Sequence, residues 1–149
     1  MMARLNTPEE LEKLRKEILS RKDPEKPCIS ICAGAGCLAS GASEVITAFK
    51  AEIEKQGLSA DVDTRGTGCP GFCERGPVVV IYPEEICYLQ VKPGDVPDII
   101  SQTIKEKKVV DRLLYVDPAT GEKAIRESDI PFYKHQKRNI ISQNIKIDS

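Results

Sequence analysis

Residues Pro27 to Arg65 read PCISICAGAGCLASGASEVITAFKAEIEKQGLSADVDTR. Cys28-Ile29-Ser30-Ile31-Cys32, directly after a proline, has the composition of a buried strand. Ala33 to about Gly41 is a glycine-rich loop. From about Ser43 to Gln56, Val45, Ile46, Phe49 and Ile53 recur at the spacing of one helical face, and Gly57 supplies a stop. Ala60 to Arg65 then alternates small or apolar residues with polar ones, as a half-buried strand does. Strand, helix and strand in this order predict a parallel crossover, and with it an α/β fold.

The flanks extend this unit. A second glycine-rich loop runs from Gly66 to Gly76, and Val78 to Tyr82 reads as a buried strand. Pro83-Glu84-Glu85 is a turn, after which Ile86 to Val91 pairs back as a hairpin. Asp95 to Lys107 is expected as a helix with Val96, Ile99, Ile100 and Ile104 inward. Upstream, Thr7-Pro8-Glu9-Glu10 is a helix start with a capping box, and Leu11, Leu14, Ile18 and Leu19 follow at helical spacing. The charged stretch Arg21 to Glu25, with Pro24 inside it, ends that helix. The sum is a thioredoxin-like layout, a small mixed sheet flanked by helices, with an N-terminal helix in front. Past Lys108, Val109, Val110, Leu113, Leu114, Tyr115 and Val116 suggest a further strand, Asp117 to Gly121 a turn, and Phe132 to Ser149 a basic and then mixed tail. Three segments result: a helical extension over 1–25, a core domain over 26–108 and a C-terminal extension over 109–149.

Composition narrows the function classes. The chain has 149 residues, the size of one ordinary domain, and 40% of them are hydrophobic. Twenty-two Lys and Arg against 23 Asp and Glu leave a net charge of −1, and without a basic stripe no nucleic-acid partner is expected. No stretch approaches the roughly 18–20 apolar residues of a membrane span, so no membrane insertion is expected. The N-terminus has no apolar signal-peptide core, and the expected compartment is the cytoplasm, where paired cysteines more often bind metal or do redox chemistry than form structural disulfides. His135 is the one histidine. That count excludes a two-Cys, two-His zinc finger and a Rieske centre, and leaves a Ser-His-Asp triad only in the segment with least sign of a packed core. Any metal site here is mostly cysteine.

Four of the six cysteines fall in two pairs. Cys32 and Cys37 enclose Ala33-Gly34-Ala35-Gly36, and Cys69 and Cys73 enclose Pro70-Gly71-Phe72. Each pair lies in a loop after an expected strand, and in a parallel crossover both loops emerge at the same sheet edge. Cys32, Cys37, Cys69 and Cys73 are therefore candidate metal ligands. Seven of the ten glycines, Gly34, Gly36, Gly41, Gly66, Gly68, Gly71 and Gly76, sit in these loops, where they permit close approach of the backbone to a ligand. Pro27 to Ser43 carries no charge, and Arg65 and Arg75 flank the second pair. An anionic iron–sulfur cluster suits such a setting. Zinc also uses paired cysteines, but it seldom needs so much glycine or so wide a sweep of chain. Redox disulfide chemistry of the thioredoxin type would need C-x-x-C, which neither pair has. Cys28 and Cys87 are left over and read as small apolar core residues.

The run from Cys32 to Gly41, together with Gly68-Cys69-Pro70-Gly71-Phe72-Cys73-Glu74-Arg75-Gly76-Pro77, resembles the thioredoxin-like 2Fe–2S ferredoxin domain. In particular it looks like the N-terminal domain of the flavin-containing, NADH-oxidising subunits of multimeric hydrogenases, formate dehydrogenases and complex I relatives. Asp129-Ile130-Pro131-Phe132-Tyr133, then Gln136 and Arg138, resembles the lead into that subunit's flavin/NADH domain. The resemblance implies one 2Fe–2S cluster with Cys32 and Cys37 on one iron, Cys69 and Cys73 on the other, and a one-electron relay role. It places FMN and NAD in the parent subunit rather than in this chain, whose sequence carries no flavin or nicotinamide loop and hence no site for hydride transfer. It implies other redox subunits or domains as partners, with a homo-oligomer also open. A stand-alone ferredoxin shuttle and a four-cysteine structural zinc module are the alternatives. Four thiolates without histidine imply a low potential, on the order of −400 mV.

Overall fold

The structure, a computed structural model, describes residues 6–21, 23 and 25–137. Pro24, expected at the end of the first helix, and the tail from Arg138 onward, expected to be basic and then mixed, lie outside the described residues.

Helix α1 spans Pro8–Arg21. The capping box forms as its sequence predicts: the Glu10 N–H donates to Thr7 Oγ1 at 3.2 Å and the Thr7 N–H donates to the Glu10 carboxylate at 3.3 Å. Ion pairs one turn apart, Glu12 with Arg15 and Glu17 with Arg21, line its surface. Its apolar spacing leads to no burial, and Leu11 and Leu19 are more than half exposed, at 57% and 54%.

The sheet has the order β2-β1-β3-β4. Strand β1 (Cys28–Cys32) is central and wholly buried. It pairs in parallel with β2 (Asp63–Thr67) and antiparallel with β3 (Val79–Tyr82), which pairs with β4 (Ile86–Tyr88). The expected parallel crossover is present, carried by α3 (Ala42–Lys55), which lays Ala42, Val45, Phe49 and Ile53 into the core. β2 begins three residues later than its pattern suggested. Gly57, at φ 69°, stops α3, and Leu58 to Val62 form a turn in which the Asp61 and Val62 N–H groups donate to the Leu58 carbonyl at 2.9 and 3.0 Å.

Two elements depart from the sequence reading. The first glycine-rich loop contains a short helix, α2 (Ala35–Ala39). The helix expected over 95–107 is one α turn, α4 (Val96–Asp98), that continues as a wider π-helical stretch, Ile99–Lys105. The inward set is the expected one, with Val96, Ile99, Ile100 and Ile104 buried. Thr103 is buried with them, sharing a 2.6 Å hydrogen bond with the Tyr88 hydroxyl. That hydroxyl also accepts the Val110 N–H at 3.0 Å, which joins β4, the π-helical stretch and the start of the extension in one buried contact.

The segment after Lys108 packs more fully than its sequence suggested. The expected strand shrinks to a single 3₁₀ turn, Asp111–Leu113, and a short β5 (Tyr115–Val116). β5 pairs antiparallel with β6 (Lys123–Ala124) around the Asp117 turn. Leu113, Leu114, Ala124, Ile130 and Tyr133 join the same core as the sheet. The extension also lies along the free edge of β4: the Cys87 N–H donates to the Ile125 carbonyl at 2.8 Å, and Ile86 bridges to Arg126. The backbone groups of that edge strand thereby find partners. A last turn, α5 (Pro131–Lys134), ends beside the exposed His135.

Candidate metal centre

Parallel pairing places the C-terminal ends of β1 and β2 side by side, with Cys32 in register with Thr67. Backbone bonds then fix the loops that follow: the Ala33 N–H donates to the Thr67 carbonyl at 2.8 Å and the Cys32 N–H to the Val78 carbonyl at 3.0 Å. Cys32 ends β1, Cys37 lies within α2, Cys69 follows β2, and Cys73 opens a 3₁₀ turn, Cys73–Arg75. All four thiols predicted as ligands arrive at one edge of the sheet.

The two loops interlock through glycine. A Cβ placed on Gly34 would stand 2.9 Å from the Cβ of Cys69 and 3.5 Å from Cys32 Sγ. One on Gly36 would stand 2.8 Å from Cys73 Cβ, and one on Gly76 would stand 2.6 Å from Cys37 Sγ. Glycines of the first loop thus make room for cysteines of the second, and a glycine of the second for a cysteine of the first. Cβ contacts under 3.0 Å are essentially never seen, so a side chain at any of these positions would force a cysteine or its loop to shift.

Within the cradle the thiols lie two and two. Cys69 Sγ and Cys73 Sγ are 3.3 Å apart, and the Cys32 thiol hydrogen-bonds the Cys37 sulfur. A tetrahedral zinc would draw all four sulfurs to within about 2.3 Å of one point, whereas a binuclear cluster takes them as two pairs.

Electrostatics point the same way. The hydrogen bond from Cys32 pulls Cys37 down to about 6. The same bond, burial, and the charges of Cys37 and Cys69 push Cys32 up. Its partner Cys69, then burial, then the charges of Cys69 and Cys37 push Cys73 up. Thiols coupled in this way resist ionising together, and bound metal cations would offset that repulsion. The Gly71 N–H donates to Cys69 Sγ at 3.2 Å from a residue at φ 94°, a backbone conformation that suits glycine. N–H groups of Gly34 and Val78 do the same for Cys32 and Cys37. The donor set fits a 2Fe–2S cluster.

The pairs differ in exposure. Cys32 and Cys37 are fully buried, Cys69 is half-buried and Cys73 is exposed. Cys28 and Cys87 are buried free thiols on the sheet, and burial pushes Cys87 up. Cys28 stands at the opposite end of β1 from Cys32, about 13 Å along the strand. Sequence reasoning passed over Phe72. Its ring, between Cys69 and Cys73 in sequence, meets Tyr115, Phe132 and Tyr133. The available signal was an aromatic inside a glycine-rich cysteine loop, in a chain with just three phenylalanines, four tyrosines and no tryptophan.

Comparison with known proteins agrees with this geometry. The family model of the thioredoxin-like 2Fe–2S ferredoxins matches residues 17–104, a span that takes in both cysteine loops and all four strands of the sheet. The 2Fe–2S ferredoxin of Clostridium pasteurianum is 38% identical over 77 residues, covering 52% of this chain and 76% of that protein. The 2Fe–2S ferredoxin of Aquifex aeolicus is 41% identical over 80 residues, covering 52% of this chain and 71% of its own. The solved structure of a thioredoxin-like 2Fe–2S ferredoxin from Aquifex aeolicus superposes with a TM-score of 0.55 at 34% identity, over 60% of this chain and 89% of that one. No helix of the described residues is long and apolar enough to cross a membrane. By its cysteine loops, its sheet and these matches, the chain belongs to the thioredoxin-like 2Fe–2S ferredoxins, proteins of electron transfer.

Proposed function

We propose that the chain relays single electrons as a module of a larger NAD(P)H-linked oxidoreductase of the hydrogenase, formate dehydrogenase or complex I type. Cys32 and Cys37 would hold one iron of a 2Fe–2S cluster, and Cys69 and Cys73 the other. The bound cluster supplies one-electron ferric/ferrous chemistry, with no covalent bond of the protein made or broken. The observation that carries the ligand assignment is the reciprocal fit of Gly34, Gly36 and Gly76 against Cys69, Cys73 and Cys37.

The chain's own residues do three things. Gly34, Gly71 and Val78 direct N–H groups at the sulfurs of Cys32, Cys69 and Cys37. The buried pair, Cys32 and Cys37, anchors one side of the site in the core. The exposed Cys73 marks the edge that a redox partner approaches. FMN and NAD would sit in the parent subunit, not in this chain. The packing of residues 109–134 over the second cysteine loop and the β4 edge, beyond the family match, supports a place in a larger assembly.

A second reading is a stand-alone ferredoxin that diffuses between enzymes. The matched curated relatives favour it, since they are ferredoxins by name and this chain spans about three quarters of them.

Metal and sulfide analysis of anaerobically purified protein tests the assignment: about two irons and two sulfides per chain, and a paramagnetic signal after dithionite. A colourless protein with one zinc overturns it. Native gel electrophoresis of a source-cell extract separates the two readings. A module migrates with flavin in a high-mass band, and a free carrier migrates near its own 16.5 kDa.

A further inference from the structure

The second cysteine loop is gripped by the C-terminal extension. Phe72 stands between Cys69 and Cys73, the less buried thiol pair. Phe72 is 7% exposed. Phe132 of α5 stacks on it with centroids 4.4 Å apart and planes at 11°. Tyr133 meets it edge-on at 5.6 Å and 80°, and Tyr115 of β5 lies tilted at 6.2 Å. All three of these partners come from the extension and none from the four-stranded sheet. Phe132 is itself 38% exposed, so one ring face covers Phe72 while other parts of the ring meet water.

We propose that Phe132 is a positioning residue for the 2Fe–2S centre, clamping Phe72 so that the Cys69–Cys73 pair is held in place and shielded from solvent. This rests on the ligand assignment under Proposed function. The reduced cluster carries one more negative charge than the oxidised one, and water stabilises the more charged form. Shielding one side of the site therefore lowers the reduction potential, and opening it raises the potential. The clamp also restrains the loop against the backbone motion that would release iron. Phe132 acts through Phe72, on which it stacks. The extension thereby becomes a lever, and whatever displaces α5 changes the cluster's potential.

The test uses the full chain with its cluster, as wild type, Phe132→Ala, Phe132→Tyr and Ile125→Ala. Ile125 is a similarly exposed residue of the extension, at 44%, outside the aromatic group. The readouts are the midpoint potential from a paramagnetic-resonance titration, the shape of that signal, and the rate of cluster loss to a chelator. Phe132→Ala is expected to move the potential in the positive direction and to speed cluster loss by roughly two- to tenfold, the range set by one aromatic pair. Phe132→Tyr restores both, and Ile125→Ala changes neither. A Phe132→Ala protein with the wild-type potential and rate overturns the proposal while leaving the ligand assignment standing. So does an Ile125→Ala protein that shifts as much as Phe132→Ala. Wild-type protein that retains no iron or sulfide overturns the ligand assignment and the clamp with it.

Discussion

The Ala33 N–H donates to the Thr67 carbonyl at 2.8 Å, so the residue after Cys32 and the residue two before Cys69 are joined by main chain alone. Convergence of the cysteine loops is therefore a property of the β1–β2 pairing and does not depend on any one side chain. The consequences for mutation are specific.

Glycine in the cradle is expected to be irreplaceable for the cluster and dispensable for the fold. In Gly36→Ala the new Cβ would meet Cys73 Cβ at 2.8 Å, and in Gly76→Ala it would meet Cys37 Sγ at 2.6 Å. Both should lower bound iron and sulfide well below the wild-type level while the circular dichroism of the apo-protein stays unchanged. Gly94→Ala meets nothing within 4 Å and serves as the neutral comparison.

Serine replacements separate ligands from core thiols. Cys69→Ser is expected to weaken or abolish cluster assembly, because a serine hydroxyl is a poor substitute for thiolate sulfur toward iron. Cys28→Ser should leave the iron content and visible spectrum intact. Cys87→Ser buries a hydroxyl in place of a thiol and should cost about 1–3 kcal/mol of stability with the same spectrum. Iron analysis and urea unfolding read both effects, and equal loss of iron in all three variants contradicts the assignment.

The buried hydroxyl of Tyr88 ties three elements together through Thr103 at 2.6 Å and the Val110 N–H at 3.0 Å. Tyr88→Phe leaves both partners unsatisfied and is expected to lower stability by about 1–3 kcal/mol. The urea midpoint should fall accordingly, and an unchanged midpoint contradicts the role given to this hydroxyl.

One acid-sensitive contact is expected at the turn before α4. Burial alone would raise Asp95, but hydrogen bonds from Arg112 and from the Lys92 N–H outweigh it and hold the carboxyl below its usual range. A carboxylate depressed in the folded state adds stability that is present above the unfolded value of about 3.9. That stability is lost as pH falls through the folded value. Arg112→Leu should therefore unfold earlier than wild type in urea at pH 7. The gap should close on acidification below about pH 4, and a gap of constant size across that range contradicts the linkage.

How much of this was legible in the sequence varied with the kind of signal. The Cys28 to Cys32 strand and α3 were readable because each carries the period of its own geometry, and the parallel pairing followed from their order. The convergence of Cys32, Cys37, Cys69 and Cys73 was readable because each pair follows one of two parallel strands. β2 was misplaced by three residues because an edge strand with few buried side chains alternates only weakly. The leucines of α1 have helical spacing, but spacing gives a face and not what covers it. The π-helical stretch leaves no trace in composition. The contacts of Phe72 with Tyr115, Phe132 and Tyr133 span more than 40 residues of sequence, and no local pattern links them.

The extension's hold on the β4 edge decides where this protein can be cut. A boundary after Lys108, attractive on paper because the helical periodicity ends there, would strip Leu113, Leu114, Ala124, Ile130 and Tyr133 from the core. It would also leave the Cys87 amide with no acceptor in place of Ile125. Such a fragment would present an adhesive seam to its own copies, so a trimmed electron-carrier cassette that keeps this edge covered has to run at least through α5.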